Sequence, residues 1–286
     1  MSESLHNRFS HIRSEIMLLV CILFATLIIA LLVLITGYLL SLGFGSLSLD
    51  FFTKEPIPIG MVGAPGGMKN GIFGTAILIM MASLVGIPIG MLAGIYLSEY
   101  DDNSWLNGPV RFISDVLAGV PSIVVGILGY ELLVVPMGSY NGYAGAAALA
   151  FIMIPIVCRT TEEMLRLVPS SYREASIGLG ATKAATILEV VIPSATGSIV
   201  TGVMLAVARV AGETAPLLFT ALSSRFVEYN PSRPFPSLTV QVFTYATGPY
   251  PQQKKLAWAG ILVLIGIIFV LNLSVRYFSR QRRPAR

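Results

Sequence analysis

Ser171-Tyr172-Arg173-Glu174-Ala175-Ser176-Ile177-Gly178-Leu179-Gly180, nine residues, then Val190-Val191-Ile192-Pro193, is the stretch that decides how this chain reads. It lies between two long apolar segments and packs helix-start and helix-stop signals close together. Ser171 and Glu174 have the spacing of a capping box, and Gly180 sits where a short helix would end. Tyr172, Ala175, Ser176 and Leu179 fall on one face at i, i+3, i+4, i+7. About two turns of helix are marginal in water on their own. The spacing therefore predicts a short helix whose face packs against another protein.

The rest of the chain is built for a bilayer. Hydrophobic residues make up 55% and charged residues 12%, about half the soluble average of roughly 25%. Six apolar runs are long enough to cross a ~30 Å hydrocarbon core as helices: Ile16–Leu40, Ile72–Leu97, Val110–Val135, Tyr143–Leu167, Ser198–Leu222 and Leu256–Phe278. Pro155 interrupts the fourth. Strand-based spanning would need alternating ten-residue segments, which the sequence lacks. The first run is longer than a signal-peptide core, and no small-residue cleavage site follows it.

Lys and Arg placement sets the orientation. With the N-terminus inside, Arg8, Arg13, Arg111, Arg159, Arg166, Arg173, Lys183 and the C-terminal arginines collect on the cytoplasmic side. Lys54, Lys69, Arg225, Arg233, Lys254 and Lys255 fall outside. The bias places both termini and the 171–193 loop in the cytoplasm. The net charge of +4 needs no nucleic acid to explain it, and the run Arg280–Arg286 reads as an anchor facing anionic membrane lipid. Cys21 and Cys158 read as packing residues, and His6 and His11 carry no ligand pattern. The chain divides into a tail over 1–15, a first helix and outer loop over 16–70, a core membrane domain over 71–278 and a basic tail over 279–286. The Pro-rich outer segments 41–71 and 223–255 read as turn-rich connections.

Arg209 and Glu213 sit inside the fifth run. Charges at bilayer depth cost at least about 2.5–3.5 kcal/mol each on insertion scales, so they need a cavity or a partner. Gly202, Ala206, Arg209, Glu213, Pro216 and Thr220 form one small and polar stripe. The two charges either pair on their own helix or line a solute path. Pro216 lacks the amide that would bond Gly212, so Gly212 and Pro216 mark a hinge beside them. A guanidinium fork matches phosphate oxygens. Glu213 then either holds Arg209 or accepts a proton-bearing phosphate oxygen. Arg159 is a third path candidate, with Glu162 and Glu163 as neutralising neighbours. Glu131 reads as a vestibule residue, Asp115 as interfacial, and Glu99, Asp101 and Asp102 as a solvated inner loop. No Gly-x-x-x-x-Gly-Lys-Ser/Thr loop is present, so ATP hydrolysis by that route falls to another chain. No catalytic or metal-ligating set is visible.

Glu174-Ala175-Ser176, three residues, Gly180, nine residues, Val190, one residue, Ile192-Pro193 resembles the EAA loop of ABC importer permeases: Glu-Ala-Ala, three, Gly, nine, Ile, one, Leu-Pro. Ser176, Val190 and Ile192 depart from that pattern but keep small or aliphatic character. Ala208–Leu222 is similar to the fifth-span region of PstA-type phosphate permeases, and Gly90–Tyr100, Pro121–Gly126, Pro155–Glu162 and Ala257–Gly260 fit the same subfamily. The resemblance covers roughly Gly66 to the last span. It implies an all-α membrane protein of six transmembrane helices with the type I ABC importer permease (MetI-like) fold, in the bacterial plasma (inner) membrane. It also implies a heterodimer with a PstC-type permease, two PstB-type ATPase subunits that carry ATP and Mg, a PstS-type phosphate-binding protein, and phosphate as solute. Tyr172, Glu174, Ala175, Ser176, Leu179 and Gly180 are then the expected ATPase coupling residues. A permease for another oxyanion, a proton-coupled transporter using Glu213 and Glu131, and a non-transporting scaffold are the competing readings.

Overall fold

The computed structural model describes residues 2–56, 66–100 and 105–281, with side chains between 13 and 274. His6, His11, Asp101, Asp102 and the Arg280–Arg286 run lie outside the described side chains. The described residues are helical, without strands: α1 (Ser2–Phe44), α2 (Leu49–Thr53), α3 (Lys69–Glu99), α4 (Asn107–Gly119), α5 (Ser122–Met137), α6 (Gly142–Arg166), α7 (Ser170–Gly178), α8 (Lys183–Ala211), α9 (Ala215–Thr220), α10 (Leu238–Thr247) and α11 (Pro251–Gln281). Among the described residues five helices are long and apolar enough to cross a membrane, and six if α4 and α5, which meet at a bend of 103°, count as one broken span.

α6 is the axis of the bundle. Asn141 caps it by accepting the Ala144 amide at 2.8 Å. The helix is rich in Gly and Ala on every face, so neighbours approach closely on several sides. α3, α4, α5, α8 and α9 all pack on it. The closest packing is with α3, whose Gly86, Gly90 and Gly94 recur every four residues and face α6. Small residues at such a spacing let backbones meet in a bilayer, where apolar burial gives helices no drive to associate. Pro155 does not interrupt α6, which runs unbroken from Gly142 to Arg166. Ile152, Met153 and Val157 are buried around it, and packed surroundings of this kind let a membrane helix tolerate the bond that a proline removes.

Two spans depart from single straight helices. The third turns through 103° at Val120–Pro121. Val120 is extended, at φ −68° and ψ 129°, because the Pro121 ring disfavours helical backbone in the residue before it. The fifth starts earlier than the apolar run suggests. α8 is continuous from Lys183, through a π-turn at Thr186–Val191, to Ala211. It stops there, and α9 begins at Ala215 with Pro216 in its first turn. Pro216 is thus not a kink inside a helix but the start of a new one, where its missing amide costs nothing.

The segment from 223 to 255 is more than a connection. It contains α10, capped by Ser237 through the Val240 amide, with Leu238, Val240, Val242 and Tyr245 buried against α3 and α11. By contrast, α1 packs mainly on α11, through the Tyr38–Trp258 edge contact and Gly43 against Leu262. Most of its described apolar side chains, and Cys21, are exposed, as suits a helix that faces lipid.

A Cβ at Gly94 would stand 2.5 Å from the Cys158 carbonyl oxygen. Gly94→Ala should therefore force α3 and α6 apart and cost on the order of 1–3 kcal/mol, read as a lower Tm in detergent; an unchanged Tm would refute this packing.

Candidate functional site

The break between α8 and α9 and the bend between α4 and α5 face each other. Between them lies a cleft of about 210 Å³, lined by Leu117–Ser122, Ile152, Ile156, Arg209 and Glu213. Ile152 and Ile156 flank the middle of α6, so the cleft lies about halfway across the bundle. Irregular backbone at such a depth is tolerated where it is covered by protein or lines a cavity. Here both conditions hold. Gly126 lets α5 approach the break: a Cβ there would lie 2.9 Å from the Pro216 Cα. On the other side, the Thr239 hydroxyl of α10 donates to the Glu213 carbonyl at 3.0 Å. The loop amides of Gly212 and Glu213 bond back to Arg209 and Val210 carbonyls at 3.1 Å each.

Arg209 and Glu213 both border this cleft, yet no ion pair joins them among the described residues. The helix they were expected to share ends at Ala211, so the four-residue spacing no longer brings the side chains together. Arg209 is exposed and Glu213 half-buried. Arg159 does not line the cleft. It follows Ile152 and Ile156 on the same stripe of α6, and is held by Glu163 at 2.8 Å and Asp115 at 3.6 Å. Glu162, expected to help neutralise it, is buried and instead takes Arg111 of α4 at 2.9 Å and Arg166 at 3.2 Å. Glu131 is exposed on the π-turn of α5 and outside the cleft lining.

At the far end of α6 and the start of α8 stands α7. It begins one residue before the expected cap: Ser170 opens the helix after Pro169, and no side chain caps it. Its exit is as the sequence indicates. Gly180 has φ +91°, a left-handed conformation that costs glycine little. The amides of Gly180 and Ala181 bond the carbonyls of Ile177 (2.9 Å) and Ser176 (3.2 Å), which is the Schellman pattern. Tyr172, Glu174, Ala175, Ile177 and Leu179 are exposed. Ser176 is turned inward, with its hydroxyl 2.9 Å from that of Thr186.

Arg173 carries the contact that sequence reasoning missed. Its guanidinium donates to both carboxylate oxygens of Glu99, at 2.9 and 2.6 Å, and to the carbonyls of Val168 (2.7 Å) and Leu165 (3.0 Å). Glu99 is not solvated as expected: its side chain is 4% exposed. The bond to Glu99 raises the Arg173 pKa above its ordinary value, against the opposing effect of burial. Seventy-four residues separate the partners, and no local signal links them.

Residues 86–284 match the family described as binding-protein-dependent transport system inner membrane component. The chain is 43% identical to a phosphate transport system permease protein PstA of Yersinia pestis, over 84% of this chain and 81% of that one. Against the protein of the same name in Pasteurella multocida it is 42% identical over 85% and 86%. Among solved structures it resembles a chain of the MetNI methionine ABC transporter in an inward facing conformation, at TM-score 0.66 and 18% identity, covering 76% of this chain and 96% of that one. A chain of a bacterial ABC transporter for the import of alginate aligns at TM-score 0.67 and 13% identity, over 92% and 96%. This chain belongs to the binding-protein-dependent transport family of ABC membrane permeases, and within it to the group of the PstA permeases. It is a multi-pass membrane protein of a family of transport subunits rather than enzymes. No group of three or more His, Cys, Asp or Glu suited to a metal occurs among the described residues.

Removing the hydroxyl that braces the break should loosen it. Thr239→Val is expected to cost on the order of 1 kcal/mol and to lower Tm; an unchanged Tm would show that the break holds without α10.

Proposed function

We propose that this chain is the permease subunit of an ATP-driven importer of inorganic phosphate, forming half of the translocation path. The observation that carries the reading is Arg209, a guanidinium without an ion pair among the described residues, set at a mid-bundle cleft where two membrane helices are broken. A planar fork of donors suits phosphate oxygens, and the Arg209 side chain is exposed at the cleft, where an entering anion can meet it. The first turn of α5, at Pro121–Ser122, borders the same cleft and adds the positive end of a helix. The names of the PstA relatives supply the solute.

Glu213 would repel a fully ionised oxyanion. In this reading it accepts a hydrogen bond from a proton-bearing phosphate oxygen, which sulfate at neutral pH does not offer. Arg159 stands further along the α6 stripe as a second contact on the way out. Gly212 and Pro216 let the break between α8 and α9 change as the path opens.

The outward side of α7 supports coupling to a separate ATPase. Tyr172, Glu174, Ala175 and Leu179 present a short helix for a groove on that partner, Ser176 braces the loop from within, and Gly180 sets the tight exit. The ATPase would be a pair of PstB-type subunits holding ATP and Mg, the second half of the path a PstC-type permease, and the supplier of solute a PstS-type phosphate-binding protein. The loop of α7 then faces the cytoplasm of a bacterial cell, with the protein in its inner membrane.

In vesicles reconstituted with these partners, Arg209→Lys should cut ATP-driven phosphate uptake by at least about tenfold, because a point charge replaces a fork. Glu213→Gln should lower phosphate uptake and leave sulfate no better excluded than phosphate. Normal phosphate uptake by both variants would remove the cleft from the path. Uptake driven by an ion gradient without the ATPase would favour the secondary-transporter reading instead. Separately, Gly180→Leu forces a side chain into left-handed backbone at about 1 kcal/mol or more and should weaken ATPase co-purification; a fully assembled, active complex would contradict this role.

A further inference from the structure

We infer that Glu99 and Arg173 form a positioning clamp that makes α7 move as one body with α3 and α6, giving the ATPase contact a second route into the bundle. This rests on the reading of α7 as the ATPase contact. The covalent route from α7 is the short chain segment into α8, which leads to Arg209. Beside it α7 packs on the start of α8, where the Ser176 hydroxyl meets that of Thr186 at 2.9 Å, so by these contacts alone α7 would move with α8.

The structure ties α7 elsewhere. Arg173 points inward from α7, as Ser176 does, and makes four hydrogen bonds at once. Two form a fork on Glu99, the last residue of α3. The other two fall on the carbonyl of Leu165, in the last turn of α6, which also accepts the Val168 amide at 3.1 Å, and on the carbonyl of Val168, just past the helix end. One side chain therefore joins the ends of three helices. Both ions are largely withdrawn from water, with 24% of the Arg173 side chain and 4% of Glu99 exposed. A bidentate pair of that kind is geometrically specific, and loss of one partner leaves the other uncompensated.

The neighbouring contacts reinforce the same end of α3. Arg166 of α6 donates to the Leu97 carbonyl at 3.4 Å. Lys183, the first residue of α8, places its ammonium 4.6 Å over the Tyr100 ring, and Tyr96 stacks on Tyr100. Both arms of the loop, through Arg173 before Gly180 and Lys183 after it, thus grip α3. From that point α3 and α6 stay in contact along Gly94, Gly90 and Gly86, up to the stretch of α6 that contributes Ile152 and Ile156 to the cleft. A displacement of α7 reaches the cleft from its α6 wall as well as through α8.

The test is a double-mutant cycle on the reconstituted complex with Glu99→Gln, Arg173→Gln and both together. Three quantities are read: co-purified ATPase, ATP hydrolysis, and phosphate carried per ATP. Each single variant should retain the ATPase and its hydrolysis but carry about tenfold less phosphate per ATP. The double variant should lose no more than either single one, because the pair acts as a unit. Unchanged phosphate per ATP in the singles, losses that multiply in the double, or loss of the ATPase from the singles would each overturn the clamp as a transmitting joint. If the unaltered chain itself retains no ATPase, the docking role of α7 fails, and the clamp with it.

Discussion

In a bilayer every backbone amide and carbonyl needs a partner, and two interrupted spans violate the simplest way of meeting that need. The bend at Val120–Pro121 and the break at Gly212–Thr214 are placed so that each helps cover the other. Gly126 brings α5 against Pro216, α10 reaches in with Thr239, and α6 supplies Ile152 and Ile156. What remains uncovered is a small cleft with Arg209 and Glu213 at its edge. The cleft therefore follows from the breaks, and the breaks are stable because of the buried, Gly- and Ala-rich helix beside them. Each break contributes to the cleft: the one after Ala211 ends the helix that carries Arg209, and the bend at Val120–Pro121 supplies the opposite wall.

Much of this was legible in the sequence. Apolar run lengths mark the five helices long enough to cross and the bent α4–α5 pair, and the Ser171–Gly180 signals place a short helix and a glycine exit where α7 and Gly180 stand. Arg209 and Glu213 stood out because charges are expensive at that depth. What local pattern could not supply was the consequence of the prolines. Pro155 leaves α6 intact because packed neighbours tolerate the lost bond, Pro121 bends a span because its preceding residue turns extended, and Pro216 starts a helix. The same residue type acts in three ways, and tertiary surroundings decide which. The Ser171–Glu174 spacing fits a cap, yet the helix already opens at Ser170, directly after Pro169. Likewise α10 was hidden in a Pro-rich segment whose helical core is only ten residues long.

The largest omission was electrostatic. Glu99 looked like part of an acidic, solvated run, and Arg173 like one more positive charge on the inner side. Their partnership needs the ends of α3 and α6 to lie side by side, which depends on the glycine row of α3. Glu162 shows the same effect: it was assigned to Arg159 by proximity in sequence, but its burial turns it toward Arg111 and Arg166. In both cases helix packing selects the partner, and charge alone does not.

The central claim is that the two helix breaks enclose a stretch of the solute path. The most direct measurement is thiol labelling at Ser122, which borders the cleft. A Ser122→Cys variant, in a chain with Cys21 and Cys158 replaced by Ala, would be exposed to a charged, membrane-impermeant thiol reagent in the reconstituted complex. The account predicts that this thiol reacts, that its rate changes during ATP turnover, and that phosphate slows it. A thiol that stays unreactive in every state would contradict it, since the cleft would then be sealed from water and from any solute.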